Sequence, residues 1–217
     1  MADIDQVKHS ARSQAIARRD AMPRELREQK SDRICSQLKA ILDRLLAKVP
    51  DANRPPMSSV RRPSATVAVY ATMRSEADPS AFARYAEERG CVVAYPCMLD
   101  PRESAARAQR MCMRAARQQD LDAAPFIAHP ARPFASDAID SSLFPIVPAR
   151  EIDLIVVPIV AFDEHNLRLG YGGGCYDRYL PTLRPGCQIV GIAFDEQRLA
   201  AVPASPHDQA LQRILHA

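Results

Sequence analysis

Glycine is rare in this chain and is concentrated in one short stretch. Of the seven glycines, four lie in the sequence Arg168-Leu169-Gly170-Tyr171-Gly172-Gly173-Gly174-Cys175-Tyr176-Asp177-Arg178. Apolar residues 152–160 before it predict a buried strand, and residues 176–183 predict a helix that ends near Pro185. A glycine-rich turn that leads into a helix exposes unpaired backbone N–H groups. The pattern therefore favours an anion-binding loop over the alternative of a mobile surface hairpin.

A second strand–helix–strand pattern lies earlier in the chain. Residues 65–71 and 91–95 predict buried strands. Between them, Asp78 predicts the cap of a helix that ends at Gly90. Residues 188–194 predict one more buried strand. Strands that alternate with helices are typical of an α/β fold, so we expect a three-layer, mostly parallel, Rossmann-like sheet with helices on both faces.

The first 50 residues predict a helical arm in front of this core. Residues 3–20 and 23–50 carry apolar side chains at helical spacing. The proline- and serine-rich residues 50–64 are typical of a loop or linker. We therefore expect a single domain over the whole chain, with residues 1–50 as the arm and 65–217 as the α/β core.

The remaining segments carry weaker patterns. Residues 96–150 are interpreted as mostly loop, within which residues 105–117 fit either a basic helix or an edge strand. Residues 203–217 are expected to form a short closing segment.

The charge and composition of the chain argue against several classes of protein. A net charge of +3 and an aromatic content of 6% argue against single-stranded nucleic-acid binding, which uses basic grooves with stacked aromatic rings. The longest apolar run, residues 154–162, is too short to span a membrane, and residues 1–20 contain no signal-peptide core. We therefore expect a cytoplasmic protein without membrane contact. The six cysteines show no metal-binding spacing and are expected to be free thiols.

Two common phosphate-binding motifs can be compared with the glycine-rich stretch. A P-loop needs a lysine directly after its glycines, and all four lysines of this chain lie before Pro50. A dinucleotide-binding fingerprint is matched in part by Gly170 and Gly172, but Cys175 stands where its third small residue belongs. The first motif is excluded, and the second is only partly present.

Three other residues are candidates for ligand contacts. Lys8 and Arg12 are four positions apart and share one helix face, which predicts either a phosphate contact or a solvated basic face. Glu76 lies after the strand predicted over residues 65–71, at the edge where open α/β sheets bind ligands. It is expected either to accept hydrogen bonds from a substrate N–H or to be an exposed loop acid.

The longest motif resembles that of a known family. Residues 157–163 followed by 168–177 resemble the signature of the 5-formyltetrahydrofolate cyclo-ligases, also called methenyltetrahydrofolate synthetases. Lys8-x-x-x-Arg12 is similar to that family's N-terminal nucleotide-binding helix, and Val69-Tyr70-Ala71 with Glu76 is similar to its folate-contacting loop. The resemblance implies an ATP- and Mg²⁺-dependent closure of 5-formyltetrahydrofolate to 5,10-methenyltetrahydrofolate, with release of ADP and phosphate.

The resemblance also implies a role for each residue of the site. Arg168 and Tyr176 would be catalytic, and Asp177 would ligate Mg²⁺. The folate, in monoglutamyl or polyglutamyl form, would contact Ala71, Glu76, Tyr171, Gly172, Gly173, Gly174 and Cys175. ATP would contact Lys8, Arg12, Arg168, Leu169, Gly170, Tyr171, Gly172, Gly173, Gly174, Cys175 and Tyr176.

Three positions depart from the family pattern. Cys175 replaces a tyrosine, His129 replaces a glutamate, and Gln212 replaces an aspartate that looks like a magnesium ligand. These departures favour an alternative, a nucleotide- or sugar-phosphate-binding α/β protein of the same architecture without this activity. A basic nucleic-acid-binding module led by the arginine-rich N-terminal helices is a further alternative.

Overall fold

The computed structural model of the chain describes residues 4–47, 64–102, 111–204 and 210–217. No helix among these residues has the length and apolar character needed to cross a membrane. The helices are α1 (Ile4–Asp20), α2 (Arg24–Ala47), α3 (Ser80–Glu88), α4 (Pro125–Ala128) and α5 (Cys175–Tyr179). The strands are β1 (Thr66–Ala68), β2 (Val92–Leu99), β3 (Met111–Ala115), β4 (Pro133–Phe134), β5 (Ile146–Val147), β6 (Leu154–Pro158), β7 (Ala161–Phe162), β8 (Arg168–Leu169), β9 (Gln188–Ala193) and β10 (Arg213–His216).

The main sheet is mostly parallel, as the sequence predicts. Within the described residues it contains eight strands in the order β10-β9-β6-β1-β2-β3-β5, and β4 pairs with β2. Strands β10, β9, β6, β1 and β2 are parallel, and so is β4 beside β2. Strand β3 is antiparallel to β2, and β5 is antiparallel to β3. The register aligns Val67 of β1 with Val93 of β2 and with Leu154 of β6.

Helices cover both faces of this sheet. Successive residues of a strand point to opposite sides, so each strand offers apolar side chains to the helices on either face. On one face, Leu38 of α2 and Phe82 of α3 belong to a buried cluster that includes Val156 of β6. On the other face, Tyr179 of α5 belongs to a second buried cluster that includes Ile155 of β6. The predicted three-layer arrangement is therefore confirmed.

The predicted N-terminal helical arm packs onto the distal part of the chain. Ala15 of α1 is fully buried in a cluster with Leu169 of the β7–β8 hairpin. The Arg18 Nε donates to the carbonyl oxygen of Glu196 at 2.7 Å. The Lys30 Nζ of α2 donates to the carbonyl oxygen of Ala217 at 2.9 Å. These contacts fix the position of α1 relative to the hairpin that precedes the glycine-rich stretch.

Several predicted bounds are wrong for identifiable reasons. The helix predicted over residues 176–183 gives way after Tyr179 to a 3₁₀ turn, because Pro181 has no N–H to continue the helix. The bend before the glycines is the antiparallel β7–β8 hairpin. Residues 111–115, part of the segment left open between helix and edge strand, are β3, because they pair with β2.

Other differences come from pairing between distant segments. The strand predicted over residues 91–95 continues to Leu99, since β3 extends its ladder. The region 96–150, interpreted as mostly loop, also contributes β3, β4 and β5 to the sheet. The closing segment contains β10, which is parallel to β9. The linker 50–63, with the arm–core boundary inside it, and residues 105–110 lie outside the described residues.

Candidate active site

A cavity of about 570 Å³ opens where β1, β2 and β6 end. Parallel strands present their carboxyl ends at one edge, and open α/β sheets bind ligands there. All residues singled out from the sequence as contacting ATP, folate or metal line this cavity: Lys8, Arg12, Ala71, Glu76, Arg168, Leu169, Gly170, Tyr171, Gly172, Gly173, Gly174, Cys175, Tyr176 and Asp177.

The glycine-rich loop, residues 170–174, connects β8 to α5. In the described part of the chain, its main-chain N–H groups make no hydrogen bond to the protein. Gly172 and Gly174 have φ values of +99° and +63°, which favour glycine. A Cβ at Gly174 would lie 2.8 Å from Arg178 Nη1. The loop therefore offers bare backbone donors to the cavity and tolerates no side chain at Gly174 without rearrangement.

A buried aspartate holds the hairpin from which this loop extends. Asp163 is 2% exposed, and its Oδ1 accepts hydrogen bonds from the N–H groups of His165 and Leu167 at 3.0 and 3.1 Å. Its Oδ2 accepts from the N–H of Val202 at 2.9 Å. Asp163, the last residue of the first part of the family signature (residues 157–163), thus has a structural role, because it fixes the turn before Arg168.

Helix α1 contributes side chains to the cavity beside the glycine-rich loop. The Arg12 Nε donates to the carbonyl oxygen of Gly170 at 2.8 Å. Lys8 is 9% exposed and lines the cavity one helical turn earlier. Arg12 therefore lies against the loop, Lys8 faces the same cavity, and the alternative of a solvated basic face is wrong for Lys8.

Arg168 and Asp177 form an ion pair at the base of the loop, with 2.6 Å between Arg168 Nη2 and Asp177 Oδ1. The arginine side chain is 7% exposed and the aspartate side chain 67% exposed. Within residues 4–47, 64–102, 111–204 and 210–217, no group of three or more His, Cys, Asp or Glu side chains could hold a metal ion. Asp177 nevertheless fits Mg²⁺, which commonly takes one protein carboxylate together with phosphate oxygens and waters.

Glu76 and Tyr176 present buried polar atoms at the cavity. The Glu76 Oε2 accepts from the Met73 N–H at 2.8 Å, whereas its Oε1 is buried and has no hydrogen-bond partner in the described residues. Burial raises the pKa of the Glu76 carboxyl, and the Met73 N–H, Tyr171 hydroxyl and Arg19 guanidinium oppose this rise. The Tyr176 hydroxyl is also buried and lacks a partner there, and burial raises its pKa. Buried groups of this kind cost free energy unless a ligand satisfies them.

An apolar wall, which the sequence did not reveal, forms the other side of the cavity. It consists of Pro96, Met98, Met111, Pro130, Ala131 and Pro158. Met98 and Met111 are directly paired across β2 and β3. No short-range motif marks these residues, because the wall depends on the register between two strands.

Arg19 is the second feature that sequence reasoning missed. It is 0% exposed, and its Nη2 donates to the Tyr171 hydroxyl at 3.0 Å. A signal was present, because Arg12 and Arg19 are seven positions apart and fall on one helix face.

Two of the departures from the family pattern lie away from the cavity lining. The exposed Gln212 accepts a hydrogen bond from the Ile189 N–H at 3.2 Å, near the amino end of β9. His129 is exposed, although its neighbours Pro130 and Ala131 line the cavity. Residues 207–208, which precede Gln212 in the same motif, lie outside the described residues. Only Cys175 changes a residue of the cavity lining.

The mostly parallel sheet, the glycine-rich loop and the cavity at the strand ends define an α/β protein with a ligand site at the carboxyl edge of its sheet. The profile of the 5-formyltetrahydrofolate cyclo-ligase family matches residues 4–217, and the chain belongs to that family.

Curated relatives and solved structures agree with this membership. The chain is 40% identical over 65 residues to 5-formyltetrahydrofolate cyclo-ligase of Mycolicibacterium smegmatis, covering 30% of this chain and 34% of that one. It is 38% identical over 71 residues to the Escherichia coli K12 enzyme, covering 32% and 39%. The aligned stretches thus span between a third and two fifths of these relatives. A 5,10-methenyltetrahydrofolate synthetase structure from Mycoplasma pneumoniae has the same fold, with a TM-score of 0.63, 21% identity and coverage of 95% and 96%.

Proposed function

We propose that this protein catalyses the ATP-dependent cyclisation of 5-formyltetrahydrofolate to 5,10-methenyltetrahydrofolate, with release of ADP and phosphate. The observation that carries the proposal is the common cavity of the glycine-rich loop, the cations of α1, Glu76 and the apolar wall. One side offers backbone N–H groups and cations, which suit a triphosphate. The other offers an acceptor and apolar contacts, which suit a polar heterocycle.

The chemistry requires that a poor leaving group be activated. In the proposed first step, the formyl oxygen attacks the γ-phosphorus of ATP, and ADP leaves. In the second, the neighbouring folate nitrogen attacks the formyl carbon, the C–N bond forms, and the C–O bond breaks with release of phosphate and the nitrogen's proton. Both steps depend mainly on positioning and on neutralising phosphate charge.

The phosphate side of the site is assigned to ATP. Lys8 and Arg12 would contact the phosphates from α1, while residues 168–176 would surround the phosphates on the side of the glycine-rich loop. When bound, Mg²⁺ would neutralise charge on the phosphate oxygens, with Asp177 as its protein ligand. Arg168 would keep Asp177 oriented through their ion pair and add positive charge to the transferred group.

The folate side is assigned to Ala71, Glu76 and residues 171–175. Glu76 would accept a hydrogen bond from an N–H of the heterocycle through its unpartnered Oε1. Tyr176 would act as a hydrogen-bond donor rather than a base, because its raised pKa keeps the hydroxyl protonated near neutral pH. Cys175 would leave room where a tyrosine is usual in the family pattern.

Other features support small-molecule substrates over a nucleic-acid partner. Arg12, Arg18 and Arg19 all donate to groups within the fold, so the arginines of α1 do not form an open basic face. The six cysteines are all free, which accords with the proposed cytoplasmic location.

An absorbance assay tests the proposal. Purified protein mixed with ATP, Mg²⁺ and 5-formyltetrahydrofolate should generate the near-ultraviolet absorbance of the methenyl product, and omission of ATP should prevent it. If a folded sample with ATP gives no absorbance change yet binds ATP, the alternative of a nucleotide-binding protein without this activity is favoured.

A further inference from the structure

A fully buried arginine connects α1 to the folate side of the cavity without lining the cavity itself. The Arg19 Nε donates to Ser75 Oγ at 2.9 Å, and its Nη2 donates to the Tyr171 hydroxyl at 3.0 Å. Its Nη1 is buried and has no hydrogen-bond partner among the described residues. A guanidinium at 0% exposure is costly to desolvate, so its contacts must compensate.

These two bonds join segments that are distant in sequence. Ser75 immediately precedes Glu76 in the loop after β1, and Tyr171 belongs to the glycine-rich loop after β8. Both loops line the cavity. One side chain therefore fixes the folate-side loop and the phosphate-side loop relative to each other.

The bond to Tyr171 also sets the role of the tyrosine hydroxyl, which accepts from Arg19. Because Arg19 occupies an acceptor position on the hydroxyl oxygen, the O–H is available to donate to a different group. Glu76 is the acid that interacts with this hydroxyl. Arg19, Tyr171 and Glu76 thus form a series: Arg19 bonds the Tyr171 hydroxyl, and the charge of Glu76 acts on that hydroxyl.

We propose that Arg19 is a positioning residue that fixes Tyr171 against the loop of Ser75 and Glu76, so that Glu76 presents its unpartnered Oε1 as an acceptor for an N–H of the folate. The residue acts through Tyr171 and Glu76 and makes no contact with substrate. The inference rests on the proposed function for the identity of the ligand, but the series itself consists of contacts within the protein.

A purely structural role for Arg19 would have different consequences. If it only braced α1, its loss would lower stability and would affect both substrates alike. If it orients Tyr171 and Glu76, its loss acts selectively on folate, because Lys8 and Arg12 still contact the phosphate side. The ratio of the two KM values therefore separates the roles.

The kinetic test compares Arg19→Gln, Arg19→Lys and Tyr171→Phe with the wild type. We expect Arg19→Gln and Tyr171→Phe each to raise KM for 5-formyltetrahydrofolate about tenfold, with KM for ATP changed less than about twofold. Arg19→Lys keeps the charge but cannot make both bonds, so it should recover part of the loss. Arg24→Gln is the matched control, since the exposed Arg24 pairs with Glu28 on its own helix, α2, and lies outside the cavity lining, so this variant should behave as wild type.

A spectroscopic test needs no substrate and no turnover. With 3-fluorotyrosine at position 171 alone, ¹⁹F NMR follows the titration of that hydroxyl. Burial raises the pKa of the Tyr171 hydroxyl; of the charged groups that act on it, Glu76 raises the pKa further and Arg19 lowers it. Arg19→Gln should therefore raise the titration midpoint, and Glu76→Gln should lower it.

The outcomes separate the two proposals. Equal rises in both KM values, or a midpoint at position 171 that neither substitution moves, overturn the role of Arg19 while leaving the proposed activity intact. A wild type without turnover overturns the proposed activity. The fluorotyrosine titration then still shows whether Arg19 and Glu76 act on the Tyr171 hydroxyl. If Arg19→Gln does not fold, Tyr171→Phe and Glu76→Gln decide it, because Tyr171 is 43% exposed.

Discussion

The two walls of the cavity are built by different means. The polar wall comes from α1 and from the contiguous residues 168–177, and each of these two parts is short and continuous in sequence, although Arg12 and Gly170 are 158 positions apart. The apolar wall comes from Pro96 and Met98 of β2 and Met111 of the antiparallel β3, completed by Pro158 of β6 and by Pro130 and Ala131. Local motifs therefore mark the two parts of the polar wall, whereas strand register determines the apolar wall.

Within the proposed reaction, this difference between the two walls matches the different needs of the two substrates. Phosphates can be held by N–H groups and charge wherever a loop and a helix meet. A heterocycle needs a shaped surface, which close-packed side chains from several strands provide. The proposal therefore assigns ATP affinity to the polar wall and folate affinity to the apolar wall together with Glu76. Substitutions on each wall should change one KM and not the other.

The largest effect is expected from Asp177→Asn on the polar wall. Loss of the carboxylate removes the proposed metal ligand and the charge that orients Arg168, so kcat should fall about 100-fold or more. Steady-state turnover over a Mg²⁺ titration measures this. Asp100→Asn is the matched control, because it removes another arginine–aspartate pair outside the cavity and should leave turnover unchanged. Turnover of Asp177→Asn at the wild-type level would contradict the assignment.

A smaller and more selective effect is expected from Lys8→Ala. The variant removes one buried cation next to the glycine-rich loop, so KM for ATP should rise about tenfold while KM for folate stays nearly constant. Initial rates at varied ATP and at varied folate test this. Lys39→Ala, on α2 beside Tyr85, should change neither constant. A parallel rise in both KM values would break the division between the walls.

On the apolar wall, Met98→Ala should have the opposite selectivity. It removes apolar contact area, which predicts a rise in KM for folate of about fivefold with little change for ATP. Met113→Ala is the control, since Met113 is 0% exposed and does not line the cavity. It should lower the free energy of unfolding by about 2–5 kcal/mol without changing either KM. Thermal denaturation and initial rates together distinguish lost packing from lost binding.

The smallest effect is expected from Gln212→Ala. Gln212 bonds the backbone near the amino end of β9, on a strand that does not line the cavity. Turnover and its Mg²⁺ dependence should therefore stay within about twofold of the wild type, a limit that is well under 1 kcal/mol. A marked change in the Mg²⁺ requirement would show that the metal site extends beyond the polar wall.

The same contrast explains how much could be predicted from the sequence. The parallel core followed from two strand–helix–strand patterns, and Lys8, Arg12 and the glycine-rich loop followed from spacing and composition. The role of Arg19 was missed although its helical spacing from Arg12 carries a signal. A buried arginine is unusual, and the buried face of a helix is predicted from its apolar positions, to which Arg19 does not belong.

The parts that could not be predicted depend on contacts between distant residues. Whether Glu76 was exposed or buried could not be decided from its position, since its burial depends on the packing of its loop beside the glycine-rich loop. The pairing of Met98 with Met111 fixes the apolar wall, yet nothing local distinguishes that register from its neighbours. The structural use of Asp163 likewise depends on Val202, far along the chain.

The attachment of the N-terminal helices to the last strands has a consequence for synthesis. During translation α1 and α2 leave the ribosome first, yet Arg18 bonds Glu196 and Lys30 bonds Ala217. Ala15 of α1 must therefore wait for Leu169, and the bonds of Arg18 and Lys30 must wait for partners 178 and 187 positions further along the chain. Nascent chains of this protein should depend on ribosome-associated chaperones during that interval.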